Sequence, residues 1–338
     1  MRGEPKVVVI TGASAGVGRA TARRFAVDGA HIALLARGLD GLSATEREII
    51  VLGGRALVVP TDVADPDQVF AAAERIEREL GPIDIWINNA MTTVFGPVDA
   101  ISPAELRRVT DVTYHGYVWG TQAALRAMKP RNRGTIVQVG SALAYRAIPL
   151  QAAYCGAKHA VRAFTDSLRS ELLHDRSDIH LTMVQLPAVN TPQFRWCENK
   201  LGVEAQPVPP IFQPELAADA IHFAAHHRRR EVFLGGSTIK AVLGQKLMPG
   251  YLDHRLVKLG YEGQATEVPR APGRPVNLWS PVAGDHGAHG HFELRARRRD
   301  PIARFGTWLG AAGVQAAAIA LVVGTIAGTS YAVSRALR

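Results

Sequence analysis

The feature that most constrains the fold is an alternation of short apolar runs with longer helical patterns from residue 6 to about residue 183, with one further apolar run at 231–235. The runs are apolar at successive positions, which indicates strands buried on both faces. Such strands pair in parallel under covering helices. The sequence therefore predicts an α/β fold with a doubly wound parallel sheet. The predicted strands are 6–10, 31–35, 56–60, 83–88, 134–139, 180–186 and 231–235, and the clearest helical patterns are 17–28, 67–80, 103–128 and 153–174.

A glycine-rich turn joins the first predicted strand to the first predicted helix. Glycine permits a tight turn and lets the backbone approach a pyrophosphate, which the amides and dipole of a helix N-terminus stabilise. Any tight strand-to-helix turn can use glycine, but this position favours dinucleotide binding. The predicted contacts in the turn are Thr11, Gly12, Ser14, Gly16, Val17 and Gly18.

The residue at the end of the second predicted strand indicates which dinucleotide binds. An acidic residue there would accept from a ribose 2′-hydroxyl, but this chain has Arg37. A guanidinium suits a 2′-phosphate through a bidentate charged contact. NADP(H) is therefore favoured and NAD(H) is possible, unless Arg37 is only a solvated loop cation.

Three residues further along form a candidate catalytic group. Tyr154 and Lys158 are four residues apart in a helical pattern, so they face the same side of the helix. An ammonium near a phenol is expected to lower the pKa of the phenol, which could then exchange a proton with a substrate oxygen. Ser141 ends a predicted strand, and the carboxyl ends of parallel strands form the ligand crevice, so its hydroxyl could hold the same oxygen.

With these residues in place, the chain resembles the short-chain dehydrogenase/reductase superfamily over about residues 5–240. The resemblance implies a Rossmann fold and nicotinamide-dependent hydride transfer. It also implies that Tyr154 is the general acid or base, that Ser141 positions the substrate oxygen, and that Lys158 binds the nicotinamide ribose. The segments that carry it are Thr11-Gly-x-x-x-Gly-x-Gly18, Asp62-Val63, Asn88-Asn89-Ala90, Ser141, Tyr154-x-x-x-Lys158 and Pro187-x-x-x-Thr191.

The same resemblance assigns the remaining cofactor contacts. It places Asp62 and Val63 at the adenine and lines the cofactor with Asn89 and Ala90. Its nicotinamide side is implied to be Pro187, Val189 and Thr191.

Two positions depart from the family pattern. Met91 follows Ala90 where the family usually has glycine, which removes backbone freedom near the cofactor. Thr113 stands where the family has an asparagine that orders a proton-relay water. A threonine hydroxyl could hold that water instead, so Thr113 is a candidate catalytic residue. It is also the only support for a rival hypothesis, a cofactor-binding scaffold or sensor with impaired turnover.

The chain beyond residue 262 changes character. We interpret residues 1–262 as the catalytic domain and residues 263–304, rich in Pro, Gly, His and Arg, as an irregular extension or linker. The histidines at 286, 289 and 291 match no specific zinc spacing, so no metal is expected.

Residues 305–334 contain no charged side chain. A bilayer core needs about 20 apolar helical residues, so this run predicts a transmembrane helix, with a soluble assembly helix as the alternative. Five arginines precede the run and two follow it, which places the catalytic domain in the cytoplasm. These arginines are Arg295, Arg297, Arg298, Arg299 and Arg304 before it, and Arg335 and Arg338 after it.

Composition limits the other partners. The formal net charge is +9, yet no aromatic-interleaved basic stripe or zinc-finger spacing accompanies it, so nucleic acid is not expected. Two cysteines cannot build a disulfide framework, which favours a reducing compartment.

Aromatic and proline residues after Thr191 predict an apolar pocket wall. With the hydride transfer that the resemblance implies and the predicted membrane helix, the expected substrate is a small hydrophobic carbonyl or alcohol. The resemblance also implies a homo-oligomer.

Overall fold

The apolar runs form the parallel sheet that the sequence predicts. The structure is a computed structural model that describes residues 5–299. Seven strands form the main sheet, in the order β12-β7-β6-β4-β1-β2-β3, and every neighbouring pair in it is parallel. In chain order the strands of the described residues are β1 (Val7–Thr11), β2 (His31–Ala36), β3 (Arg55–Pro60), β4 (Ile83–Asn88), β5 (Val94–Phe95), β6 (Thr135–Ser141), β7 (His180–Leu186), β8 (Ala188–Val189), β9 (Glu198–Asn199), β10 (Val203–Ala205), β11 (Ile211–Phe212), β12 (Glu231–Phe233), β13 (Ala265–Pro269) and β14 (Ala296–Arg297).

Helices cover both faces of this sheet, because alternate side chains of each strand point to opposite sides. Val8 and Ile10 pack into one buried cluster, and Val7 and Val9 pack into another. The α/β class with a parallel central sheet is therefore confirmed. The helices of the described residues are α1 (Gly16–Ala26), α2 (Leu39–Val51), α3 (Pro66–Leu80), α4 (Pro103–Thr110), α5 (Gly116–Met128), α6 (Ala152–His174), α7 (Pro214–His226), α8 (Gly236–Leu247) and α9 (Pro249–Glu262).

The helical pattern at 103–128 is not one continuous α-helix. A π-helical turn at Asp111–His115 separates α4 from α5. This wider turn brings Gly116 against Val63, where an added Cβ would lie 2.8 Å from a valine methyl. Periodicity does not reveal such a turn, because the apolar spacing continues through it. Single π-helical turns are often found at functional sites.

The strand order places a crevice at the carboxyl ends of β1 and β4. The chain continues from β1 to β2 and β3 on one side, and then to β4, β6, β7 and β12 on the other. Ligands of open parallel sheets bind where the order reverses in this way. The glycine-rich turn follows β1, and Asn89 follows β4, so both lie at this crevice.

The segment after α9 is mostly irregular, and two short strands in it pair with strands that precede α9. β13 pairs with β10, and β14 pairs with β11. Leu278, Ala288 and Phe292 are all buried. These apolar residues occur singly and without a period, so pattern analysis does not detect their packing.

The predicted transmembrane run at 305–334 lies outside the described residues. Within residues 5–299 the structure contains no helix whose length and apolar character would let it cross a bilayer.

Candidate active site

The glycine-rich turn adopts a conformation that needs glycine. Gly12 and Gly16 have φ of +69° and +56°, in the left-handed region that other residues rarely adopt. At Gly18 an added Cβ would lie 2.2 Å from the carbonyl oxygen of Gly12. The turn therefore keeps its backbone close-packed and directs the N-terminus of α1 into the crevice.

Hydrogen bonds fix this turn to the end of β4. The Thr11 hydroxyl accepts from the amides of Asn89 and Ala90 at 2.9 and 3.0 Å. The Asn89 side chain donates to the Thr11 carbonyl at 2.9 Å. The neighbouring Asn88 faces the interior instead and bonds Thr121 and Gln138. Of the two asparagines, Asn89 is thus the one at the crevice.

Asp62 lies at the other end of the groove, where an adenosine is expected. It accepts from the amide of Ala64 at 3.0 Å and from the guanidinium of Arg108 at 2.6 Å. Arg37 lies beside this pair, and its guanidinium donates to the carbonyl oxygens of Asn277, Leu278 and Trp279. The extension therefore reaches the residue that the sequence assigns to cofactor choice.

Ser141, Tyr154 and Lys158 line one cavity of about 460 Å³ together with the glycine-rich turn. Ser141 is the last residue of β6, and the other two lie on the first turns of α6. The Lys158 ammonium nitrogen is 5.6 Å from the centre of the Tyr154 ring. The three residues that the sequence combines are thus brought together at the crevice.

Burial shifts the pKa values of this group. It raises the pKa of the Tyr154 phenol, and a hydrogen bond with Ser141 opposes the rise. It lowers the pKa of Lys158 to about 7. The expectation of a lowered Tyr154 pKa is therefore wrong. Burial of the phenol outweighs the effect of the Lys158 ammonium, which donates to Tyr117 and Val139 and not to the phenol.

Tyr117 is a site residue that the sequence analysis missed. The Lys158 ammonium donates to the Tyr117 hydroxyl and to the Val139 carbonyl oxygen, each at 2.8 Å. Tyr117 in turn donates to the same carbonyl at 3.0 Å. Both side chains are buried. In the sequence, Tyr117 resembles an ordinary core residue of α5, and no motif marks it.

Thr113 lies on the π-helical turn, and its hydroxyl is already engaged. It donates to the Thr92 carbonyl at 2.9 Å and accepts from the Thr92 amide at 3.0 Å. The single hydroxyl proton is therefore used by the backbone. A relay water could only donate to this oxygen, so the role of Thr113 in proton transfer stays a prediction.

The segment after β7, which the resemblance assigns to the nicotinamide side, forms part of the cavity wall. The Thr191 side chain packs against Gly16, 3.2 Å from where a Cβ would lie, and Val189 pairs with β11 through β8. The remaining wall, beyond Ser141 and Tyr154, is mostly apolar. Its residues include Met91, Leu143, Ile148, Phe194, Trp196, Val208 and Pro209.

The two cysteines are buried. Burial raises the pKa of Cys155 and of Cys197 to about 11, so both thiols are inert packing groups. Among residues 5–299, no group of three or more His, Cys, Asp or Glu side chains is arranged to hold a metal ion.

Known proteins are similar to this chain in sequence and in fold. Residues 6–200 match the sequence model of a family described as short chain dehydrogenase. YxnA of Bacillus subtilis, an uncharacterized oxidoreductase, is 31% identical over 83% of this chain and 80% of its own length. A crystal structure of a metagenomic short-chain oxidoreductase in complex with NADP has a TM-score of 0.57 and 27% identity, over 68% of this chain and 96% of that one. An alcohol dehydrogenase of the archaeon Thermococcus sibiricus, complexed with 5-hydroxy-NADP, has a TM-score of 0.59 and 26% identity over the same shares.

Proposed function

The chain belongs to the short-chain dehydrogenase family and is an NAD(P)-dependent oxidoreductase, and from that premise we propose that it is an NADP(H)-dependent carbonyl reductase or alcohol dehydrogenase for hydrophobic substrates. The observation that carries the proposal is the shared cavity, which Ser141, Tyr154 and Lys158 line beside the glycine-rich turn. The test is NADPH consumption by the purified protein with a panel of hydrophobic ketones and aldehydes.

The residues of the groove fit a dinucleotide. Gly12 and Gly16 have backbone conformations that disfavour side chains, so the turn leaves room for a ligand in the crevice. The N-terminal amides of α1 point into the same crevice. Asn89, Ala90 and Val63 line the same cavity. When bound, the nicotinamide supplies or accepts the hydride. The protein's part is to orient the substrate and to move the proton.

We infer that Tyr154 acts as a general acid in the reductive direction. Burial raises the pKa of its phenol, so the phenol is protonated throughout the neutral range. It can donate to a carbonyl oxygen as negative charge develops there, and the Ser141 hydroxyl can donate to the same oxygen. In the oxidative direction the same groups work in reverse, with the phenolate as the base.

The role proposed for Tyr117 is to hold Lys158 in position. The buried ammonium donates to two oxygen atoms, the Tyr117 hydroxyl oxygen and the Val139 carbonyl oxygen. Both favour the charged form, against the burial that lowers the pKa of Lys158 to about 7. The remaining ammonium proton is free to meet a ribose hydroxyl.

We expect Tyr117→Phe to shift the pH profile of carbonyl reduction. If the ammonium is the active form, activity persists below the Lys158 pKa and is lost as the pH rises through it. Removing one acceptor lowers that pKa further, so the alkaline fall in kcat should move down by about one pH unit. Tyr114→Phe is the matched control, since Tyr114 lies on the adjacent π-helical turn. Identical profiles for Tyr117→Phe and the wild type would exclude this role.

A second expectation concerns cofactor choice. The guanidinium of Arg37 has five N–H donors, and its bonds to the extension leave some of them for a 2′-phosphate. Arg108 lies beside it and is paired with Asp62, so Arg37 is the cation with donors left for the phosphate. We expect Arg37→Asp to weaken NADPH binding at least about tenfold and NADH binding much less. Fluorescence titration with both cofactors measures this. Equal losses for the two cofactors would argue against a 2′-phosphate contact.

The rival function is a cofactor sensor with impaired turnover, which rests on Thr113. Its hydroxyl already donates to a backbone carbonyl, so it cannot also donate to a relay water, and that water would need another donor. Tight NADPH binding with no turnover on the whole substrate panel would favour the sensor.

We also propose that residues 305–334 attach the domain to a membrane with the catalytic part on the cytoplasmic side. The support is the charge-free run and the excess of arginine before it. Deleting residues 305–338 should move the protein from the membrane pellet to the supernatant. A full-length protein that already stays in the supernatant without detergent would contradict the anchor.

A further inference from the structure

The extension crosses the mouth of the dinucleotide groove. We call residues 276–291 the strap. At one end the strap meets Arg37, beside the predicted adenosine site, and at the other end it meets Asn190 and Thr191, on the predicted nicotinamide side. Five of its residues line the same cavity as the glycine-rich turn and Tyr154, namely Asn277, Pro281, Val282, Gly284 and His286.

An apolar anchor fixes the strap at the adenosine end. Leu278 is fully buried among Val94, Val109 and Ala153, the last of which precedes Tyr154. The carbonyl oxygen of Leu278 accepts from Arg108 at 3.0 Å. The carbonyls on either side of it, with Leu278 itself, hold the guanidinium of Arg37. The extension therefore orients a side chain that the proposed function assigns to the cofactor.

A second anchor fixes the strap at the nicotinamide end. Ala288 is buried against Ala20 and Ala218. The amide of Gly290 donates to the Asn190 carbonyl at 3.2 Å. At Gly290 an added Cβ would lie 2.5 Å from the Thr191 carbonyl oxygen, so only glycine permits this close approach.

Between the anchors, residues 279–287 are mostly exposed and irregular, and polar contacts hold them over the groove. The amide of Gly284 donates to Asp40 at 2.7 Å. The carbonyl of Gly287 accepts from the amide of Gly16, in the turn itself, at 3.2 Å. Asp285 pairs with Arg19 of α1. A bridge held by a few polar contacts between two apolar anchors can open without unfolding the domain.

The partner of Asp285 in the strap is a buried arginine, Arg19. Its side chain is only 4% exposed, and it also pairs with Glu48 of α2 at 2.8 Å. Arg19 lies on the helix whose N-terminus faces the phosphates. Asp285 therefore ties the middle of the strap to the element that holds the predicted pyrophosphate.

Resting on the proposed function, we propose that the strap is the outer wall of the dinucleotide site, so that bound cofactor is enclosed and leaves only when residues 279–287 lift. The strap orients Arg37 through its backbone carbonyls and closes the groove through Asp285. The occupant is a nicotinamide dinucleotide with a 2′-phosphate. Release of this cofactor, and with it the exchange of oxidised for reduced cofactor, is then limited by the opening of the strap.

The test measures the release of NADPH from the full chain by stopped-flow fluorescence, with excess unlabelled NADP⁺ as the trap. Asp285→Asn should release NADPH at least about fivefold faster than the wild type, since it removes the charged contact of the bridge. Glu48→Gln is the matched control, because it removes the other carboxylate on Arg19 and leaves the strap contact intact. Its release rate should stay near that of the wild type.

Hydrogen exchange in residues 279–287, with and without NADPH, gives a second readout. Slower exchange in the presence of NADPH supports enclosure. Faster exchange would mean that the cofactor displaces the strap, and it would overturn the proposal in favour of an autoinhibitory segment. Equal release rates for Asp285→Asn, Glu48→Gln and the wild type would overturn it as well. A wild type that binds no dinucleotide at all would instead overturn the proposed function, and this inference with it.

Discussion

Replacing Tyr154 by phenylalanine is expected to lower kcat for carbonyl reduction by about 10²–10⁴-fold, the usual contribution of a general acid. The phenol is half-buried beside Ser141 in the cavity, and its raised pKa keeps it protonated at neutral pH. Phenylalanine keeps the ring and its packing and removes only the transferable proton. The loss should therefore appear in kcat, with little change in NADPH affinity.

The measurement is steady-state NADPH oxidation with the best ketone or aldehyde from the panel, with NADPH binding followed by fluorescence. Tyr251→Phe is the control, because Tyr251 is an exposed tyrosine on α9. A Tyr154→Phe protein that retains kcat within about threefold would remove the phenol from the mechanism, since general acid catalysis requires a much larger loss.

Gly18→Ala is expected to have the second largest effect. An added Cβ would lie 2.2 Å from the Gly12 carbonyl oxygen and 2.7 Å from the Asn89 side-chain nitrogen. The backbone must then move apart at the start of α1, which should lower the free energy of unfolding by about 1–3 kcal/mol. The same displacement should weaken NADPH binding by about 10–100-fold, because the loop amides no longer converge on the pyrophosphate.

Denaturant unfolding and fluorescence titration measure the two effects separately. Gly250→Ala is the control, because Gly250 is a helical glycine with open space around its Cβ position. There alanine should stabilise the helix slightly. Unchanged NADPH affinity in a correctly folded Gly18→Ala protein would contradict the close-packed role of this glycine.

Local sequence patterns are enough to predict the main sheet, the glycine-rich turn and the pair Tyr154 and Lys158. The central strands of the main sheet are indicated by consecutive apolar residues, because burial on both faces requires them. The glycine-rich turn was marked by its position between strand and helix. Tyr154 and Lys158 were marked by their spacing on one helix. In each case the physical cause acts over a few residues, so the sequence carries it directly.

The parts that were missed depend on contacts between distant residues. Tyr117 became part of the site only because α5 lies beside β6 and α6, which brings its hydroxyl to Lys158. The raised pKa of Tyr154 depends on how completely the fold buries the phenol. The strap has no periodicity, and its anchors Leu278 and Ala288 are single apolar residues in a polar segment. Spacing alone cannot indicate what such residues will pack against.

The small sheet β14-β11-β8 has a practical consequence for shortened forms of this protein. A chain truncated after residue 262 would lose β14, leaving one side of β11 exposed, and would lose the partner of β10. It would also lack Asp285, the ion-pair partner of Arg19, and Leu278, whose apolar pocket would then be open to water. We therefore expect that kinetic work on a fragment should begin with residues 5–299, and that a fragment cut at the last large helix would report on a damaged groove.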